Sequence, residues 1–261
     1  MTIKKWKIFI AAHNGVHDRM YAKDKNFNAQ NYVVLNVAQQ EFDVSSKYSL
    51  IHQFKLQNFT SLGKWWAESE GIYNVWKNNL HKGLDFIGFL HYDKEFRLIN
   101  KPFYFLESRT NITDRINHCI HDKTHAHISF ETHIPQKDYK QRIMADVTMP
   151  NTLVGDGLNC YDYILADYNH YFKTNYSIED FINKPSINLC SCFLIDTPTF
   201  EKMMGFFDWI VTSKKLDVFD TKHQYRLQGG LAERYFGLFL SFEYGTMCDL
   251  SIAHQYNKNL K

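Results

Sequence analysis

The segment from Asp85 to Arg97 reads D-F-I-G-F-L-H-Y-D-K-E-F-R and decides the fold class. Its apolar run, Phe86 to Leu90, has the length and the Ile and Phe content of a strand that is buried on both faces. Such strands are typical of α/β proteins, where the carboxyl end of a strand delivers side chains to the ligand-binding edge of the sheet. The ionisable residues directly after Leu90 therefore predict an active site at that edge.

Two acids in this segment, Asp93 and Glu95, lie two residues apart, and His91 precedes them at the same spacing. Because side chains alternate along an extended chain, all three would face one side. Carboxylate oxygens are the ligands that Mg²⁺ and Mn²⁺ prefer, so we predict a divalent metal site formed by Asp93, Glu95 and His91. A solvated, charged turn is the alternative explanation.

The composition indicates a globular protein in a reducing compartment. The chain has 261 residues, 44% of them hydrophobic and 16% aromatic, and a formal net charge of +2 that is too small for a nucleic-acid-binding surface. Five cysteines, an odd number, argue against a disulfide framework. Because no apolar run is long enough for a signal peptide or a transmembrane helix, we expect a cytoplasmic location. Peripheral association with a membrane stays open.

Strand and helix patterns alternate along the chain, which is typical of a mainly parallel sheet flanked by helices. The predicted strands are 7–12, 32–37, 86–90, 126–130 and 187–195. The predicted helices are 61–80, 111–121, 161–181, 196–211 and 235–242, the last opened by the segment 228–234. The segment 135–159 is rich in turn-forming residues and predicts a long loop or lid.

Several side chains outside the Asp85 segment are candidate site residues. The first predicted strand ends at His13 and Asn14, which makes both candidates for contact with a nucleotide. Glu68 is an acid within the apolar stripe of the predicted helix 61–80 and would need a partner. A further cluster, five histidines and Cys119 in the segment 118–133, lacks the spacing of a zinc finger, so we interpret it as ordinary polar surface.

Four stretches in order along the chain resemble a known bacterial family. They are Lys7 to His13, A-E-S-E-G-I-Y-N-V-W-K-N at 67–78, I-G-F-L-H-Y at 87–92 and G-G-L-A-E-R at 229–234. This family comprises uncharacterised domains of capsular and exopolysaccharide biosynthesis proteins, assigned to glycosyltransferases of the A-type fold. The resemblance implies a single Rossmann-like domain, 1–261, with a nucleotide-sugar-binding half at 1–134 and an acceptor-side half at 135–261.

The resemblance also implies an activity. It points to a hexosyltransferase that moves a sugar from a nucleotide-diphosphate sugar to a saccharide acceptor during surface polysaccharide synthesis. An inverting reaction needs a base for the acceptor hydroxyl. Glu233, which follows a predicted Gly-Gly turn at a helix start, resembles the acceptor-side acid of inverting A-type enzymes, although the helix dipole alone would also favour an acid there. Asp156, between Gly155 and Gly157, is the rival base.

The remaining candidates would bind the donor. Arg234, Lys94 and Arg97 are candidate phosphate ligands, and Trp65, Trp66 and Asn188 are candidates for the sugar subsites. Arginines commonly follow the His-Tyr pair in the family, whereas this chain has Asp93, Lys94 and Glu95. The metal is therefore an expectation for this chain that the family does not support.

Two other classes of function stay open. One is a non-catalytic carbohydrate-binding or scaffold module of a polysaccharide assembly complex. The other is a metal-dependent hydrolase that uses the histidine-rich segment together with Asp93.

Overall fold

The computed structural model describes residues 4–16, 28–46, 48–63, 66–92, 112–129, 160–184, 191–218, 227–244 and 248–249. Its strands are β1 (Trp6–Ala12), β2 (Tyr32–Asn36), β3 (Ser49–His52), β4 (Phe86–His91), β5 (His127–Ser129), β6 (Phe193–Asp196) and β7 (Cys248–Asp249). They form one sheet of seven strands within the described residues, in the order β3-β2-β1-β4-β6-β5-β7.

The sheet is mostly parallel, as the sequence predicts, with one reversed strand. β1 pairs in parallel with β2 and β4, β2 with β3, and β5 with β7. β6 runs antiparallel to both of its neighbours, β4 and β5. The carboxyl ends of β1 to β4 therefore share one edge of the sheet, and the start of β6 lies at that same edge.

Helices cover both faces of the sheet. They are α1 (Glu68–Lys77), α2 (Ile112–Ile120), α3 (Cys160–Phe172), α4 (Ile178–Ile182), α5 (Thr197–Thr212) and α6 (Leu227–Glu243). Short 3-10 turns occur at Ala29–Asn31, Gln53–Lys55 and Lys215–Val218. None of the described helices is long and apolar enough to span a membrane.

The alternation of side chains in the central strands explains their uninterrupted apolar sequences. Phe9 of β1 and Phe89 of β4 point into the larger core, which contains residues of α1, α3, α5 and α6. Ile10 of β1 and Leu90 of β4 point into a smaller core on the opposite face, which contains Ile116 of α2. Both faces of these strands are therefore buried, as expected for a central parallel sheet.

Helix α1 begins at Glu68, seven residues later than the predicted start at Ser61. The carboxylate of Glu70 accepts hydrogen bonds from the backbone N–H groups of Leu62 and Gly63, at 2.7 and 2.9 Å. The amide of Asn74 bonds both the N–H and the carbonyl of Thr60. These side chains hold the preceding segment as a loop against the helix, so the predicted helix 61–80 is too long.

The predicted helix 161–181 is two helices, α3 and α4. Between them Lys173 has a φ of 57°, and the side-chain oxygen of Asn169 accepts hydrogen bonds from the Thr174 hydroxyl and the Tyr176 N–H. Ser177 then caps α4 in a reciprocal capping box with Asp180. By contrast, the predicted helix start near Asp196 is confirmed, because its carboxylate accepts a hydrogen bond from Thr199 N–H at the start of α5.

Candidate functional site

The candidate site lies where β1 and β4 end. The two strands pair in parallel, with Ala11 of β1 beside His91 of β4. His13 follows the end of β1, so its imidazole and that of His91 reach the same edge of the sheet. Of the predicted site residues, these two are placed by the strands.

Glu68 reaches this edge from helix α1. Ala67 has a φ of 51° and a ψ of −132°, a conformation uncommon for a non-glycine residue, and it turns the chain into the helix at Glu68. The Glu68 side chain is only 7% exposed, and its Oε1 lies 3.5 Å from His13 Nε2 and 3.9 Å from His91 Nδ1. An acid at this position is also favoured by the dipole of α1. A buried acid needs polar partners, and the partners of Glu68 include these two histidines.

Glu233 reaches the site from helix α6. The predicted Gly-Gly turn is wrong, because α6 begins at Leu227 and Gly229 and Gly230 lie within its first turns. Gly229 is buried, and packing of α6 against α1 and α3 offsets the poor helix propensity of glycine. Glu233 thus lies beyond the first turn, so the helix dipole does not explain it. Its Oε1 lies 3.9 Å from His91 Nε2.

Glu68, His91 and Glu233 form a compact cluster built from three elements. Each contributes one potential ligand atom, and these atoms all lie within 4.8 Å of one another. Burial disfavours a charge on His91, but the side chain of Cys192 and the carboxylates of Glu68 and Glu233 outweigh it and raise the pKa of His91 to about 10. At neutral pH His91 is therefore an imidazolium held between two carboxylates.

The cluster fits the donor set of a divalent cation, since it combines two carboxylates with an imidazole. His91 would have to release its proton before it could coordinate an ion. Within the described ranges, no other group of three or more acids, histidines and cysteines comes this close together. The central histidines do not form such a group there: His125 instead contacts Asp196 at 3.0 Å, and burial lowers the pKa of His127 to about 3.

The other predicted site residues are distributed differently. Asn14, which follows β1, is exposed. The Trp66 ring packs against the Phe207 ring of α5, with 6.0 Å between the ring centroids. The Arg234 guanidinium donates to the Gly230 carbonyl of its own helix at 2.6 Å. The predicted residues outside the described ranges are Trp65, Asp93, Lys94, Glu95, Arg97, Asp156 and Asn188.

A narrow recess lies beside the cluster, and it reveals a residue that sequence reasoning missed. Glu68, His91 and Ser191 are its polar lining residues, and the rest of its wall comes from apolar side chains of the strands and of α1. Ser191 immediately precedes Cys192 at the approach to β6. No sequence signal singles it out, because a serine before a buried strand is common.

Comparison with solved structures identifies a similar fold. The chain superposes on the apo structure of the WbbM bifunctional glycosyltransferase with a TM-score of 0.61 and 14% sequence identity. The match covers 98% of this chain and 46% of WbbM. The fold is similar to that of a glycosyltransferase. The chain spans less than half of that larger protein.

Sequence comparisons add no closer assignment. No protein-family model matches the sequence, and no curated protein matches it. At 14% identity the likeness to WbbM is one of fold.

Proposed function

We propose that the protein is a glycosyltransferase that moves a hexosyl group from a nucleotide-diphosphate sugar to a saccharide acceptor in surface polysaccharide synthesis. The observation that supports it is the convergence of Glu68, His91 and Glu233 at the carboxyl edge of a glycosyltransferase-like sheet. This edge is where open α/β sheets bind ligands. The reaction needs charge neutralisation on the leaving diphosphate and a base for the acceptor hydroxyl, and the cluster offers groups for both.

Glu233 is the proposed base. Its side chain is 25% exposed, whereas that of Glu68 is 7% exposed. An acceptor hydroxyl that arrives from solvent can therefore reach Glu233 more easily. Glu233 would accept the hydroxyl proton as the acceptor oxygen bonds to the anomeric carbon of the donor sugar and the bond from that carbon to the diphosphate oxygen breaks, which releases the nucleotide diphosphate.

Glu68 and His91 are the proposed metal ligands, together with Asp93 and Glu95, which follow His91 in the chain. His91 would release its proton when the ion binds. A bound Mn²⁺ or Mg²⁺ would supply positive charge next to the diphosphate. His13, which lies beside Glu68, is the proposed contact to the nucleotide portion. The roles of Lys94, Arg97 and Arg234 as phosphate ligands are part of the same proposal.

The test is turnover of four nucleotide sugars, UDP-glucose, UDP-galactose, UDP-N-acetylglucosamine and GDP-mannose, with and without Mn²⁺. Slow hydrolysis of one of them, or transfer to a saccharide mixture, is the expected result. Glu233→Gln should lower kcat by about 10²- to 10⁴-fold, the usual effect of losing a general base. Glu243→Gln is the matched control: it changes an acid on the same helix that pairs with Lys202, and it should leave kcat unchanged.

Three outcomes would contradict parts of this proposal. Equal kcat values for the Glu233→Gln and Glu243→Gln variants would rule out Glu233 as the base. Full turnover in excess chelator would rule out the metal. Absence of turnover, together with no thermal stabilisation by any of the four nucleotide sugars, would favour a non-catalytic carbohydrate-binding module instead.

A further inference from the structure

The end of β1 is followed by an Asn-Gly pair, Asn14 and Gly15. A hydrogen bond from the Val37 N–H to the Ala12 carbonyl, at 2.9 Å, fixes the chain as far as Ala12. Beyond that point the Asn14 side chain is exposed, and none of the described residues forms a hydrogen bond with it. The Asn14 carboxamide can therefore turn toward the backbone of the next residue.

The backbone nitrogen of Gly15 is unhindered. Gly15 has a φ of 128°, a conformation that favours glycine, and a Cβ added there would meet no described atom within 4 Å apart from its chain neighbours. Its N–H forms no hydrogen bond with the described residues. A rotatable carboxamide beside an unhindered backbone nitrogen is the arrangement in which asparagine, a thermolabile residue, cyclises to a succinimide.

We propose that Asn14 deamidates spontaneously and so alters the candidate site. The Gly15 nitrogen bonds to the Asn14 Cγ, the bond from Cγ to Nδ2 breaks, and ammonia leaves with the proton of the Gly15 N–H. Water then opens the succinimide, its hydroxyl adding to one imide carbonyl carbon and its proton passing to the nitrogen. Opening at the main-chain carbonyl gives an isoaspartyl residue, and opening at the side-chain carbonyl gives an aspartyl residue.

Both products place a new carboxylate next to His13, whose Nε2 lies 3.5 Å from Glu68 Oε1. This carboxylate competes with a nucleotide for His13 and adds negative charge where a diphosphate would bind. The isoaspartyl product also lengthens the main chain by one methylene group directly after His13. The effect on the donor rests on the proposed function, whereas the modification itself does not.

The experiment incubates the full chain below its Tm, at neutral and at mildly alkaline pH, and follows each asparagine by peptide mass spectrometry. Asn58 and Asn175 are internal controls, because both are exposed but are followed by Phe59 and Tyr176. A bulky side chain hinders the approach of its own backbone nitrogen. Position 14 should therefore convert severalfold faster than either control, and faster still at the higher pH, because the attacking nitrogen must lose its proton.

Two variants separate the modification from its consequence. Asn14→Gln keeps a carboxamide, but its longer side chain would have to close a six-membered ring, so position 14 should stay intact and KM should not change on incubation. Asn14→Asp introduces the aspartyl product directly. That variant and the incubated parent should both show a KM for the accepted nucleotide sugar raised by about two- to fivefold, the size expected for one added charge in water.

The possible results decide the two parts separately. Conversion at position 14 that is no faster than at Asn58 and Asn175 would overturn the modification. Conversion with an unchanged KM, both in the incubated parent and in Asn14→Asp, would overturn its effect on the donor alone. A parent protein that neither binds nor turns over any of the four nucleotide sugars would overturn that effect together with the proposed function, while the mass comparison would still decide the modification.

Discussion

Glu201 with His81 and Glu68 with His13 are two of the carboxylate–imidazole pairs among the described residues, and their surroundings differ. Glu201 of α5 accepts hydrogen bonds from His81 at 2.6 Å and from the Trp76 indole at 2.8 Å, and it also pairs with Lys82. Glu68 lies 3.5 Å from the nearer of its two histidines. The first pair is held tightly and stabilises the fold. The second is looser and lies at the carboxyl edge of the sheet.

The Glu201 pair predicts a specific acid sensitivity. Partial burial opposes ionisation of Glu201, but hydrogen bonds from Lys82, Trp76 and His81 outweigh it and lower its pKa from 4.5 to about 2. A depressed folded-state pKa adds stability above the unfolded-state value, and that stability is lost as the pH falls through the folded-state value. The free energy of unfolding should therefore fall between pH 4.5 and 2 more steeply for the parent protein than for Glu201→Gln.

Denaturant unfolding at a series of pH values measures this difference. Glu201→Gln should also be less stable than the parent at neutral pH, since it loses the charge-assisted bonds. Parallel stability curves for the two proteins across the acid range would show that Glu201 does not carry this contribution.

At the scale of elements, the close approach of β4 and β6 depends on Gly88. A Cβ at this position would lie 2.7 Å from the Phe193 carbonyl oxygen and 2.9 Å from Leu194 Cδ1. The carbonyl belongs to the backbone of β6 and cannot move without disturbing the sheet. Gly88→Ala should therefore destabilise the fold by about 1–3 kcal/mol, the usual cost of overpacking.

Gly205→Ala is the matched control for this substitution. Gly205 lies inside α5, and among the described residues a Cβ there would meet only the Tyr171 hydroxyl, at 3.4 Å. Because alanine favours helix over glycine by about 1 kcal/mol, this variant should be as stable as the parent or more so. Thermal unfolding checks both variants, and equal Tm values for the parent and Gly88→Ala would refute the packing argument.

Elements marked by apolar runs, or by a local cap such as Asp196, could be predicted from the sequence, and element ends that depend on contacts with a distant segment could not. The strands β1, β2 and β4 follow from their buried runs. β3 was not predicted, because its sequence S-L-I-H is short and its side chains are partly or fully exposed, so it lacks the apolar run of a buried strand. The start of α1 depends on the Glu70 bonds to Leu62 and Gly63, which only the folded loop provides.

The candidate site was predictable in part for a similar reason. His13 and His91 are strand-end residues, so the sheet alone brings them together. Glu68 and Glu233 come from helices far apart in the chain, and no local pattern shows that both meet His91. The predicted metal ligands Asp93 and Glu95 lie outside the described residues and stay a prediction.

At the scale of the whole molecule, the two ends of the central strands carry different groups of polar side chains. The carboxyl edge of β1 and β4 carries His13, His91 and, from the helices, Glu68 and Glu233. At the opposite end of β4, Asp85 accepts a hydrogen bond from Lys5 N–H and Asp196 caps α5. These contacts fix chain connections. The convergence of the four side chains, at the edge where open α/β sheets bind ligands, is the reason for proposing ligand binding at the carboxyl edge.

The most direct test of that assignment is a crystal structure of the protein with UDP and Mn²⁺. We expect a nucleotide bound at the carboxyl edge, with its diphosphate beside the cluster of Glu68, His91 and Glu233. A nucleotide bound at the opposite edge, or on the outer surface of the helices, would contradict it.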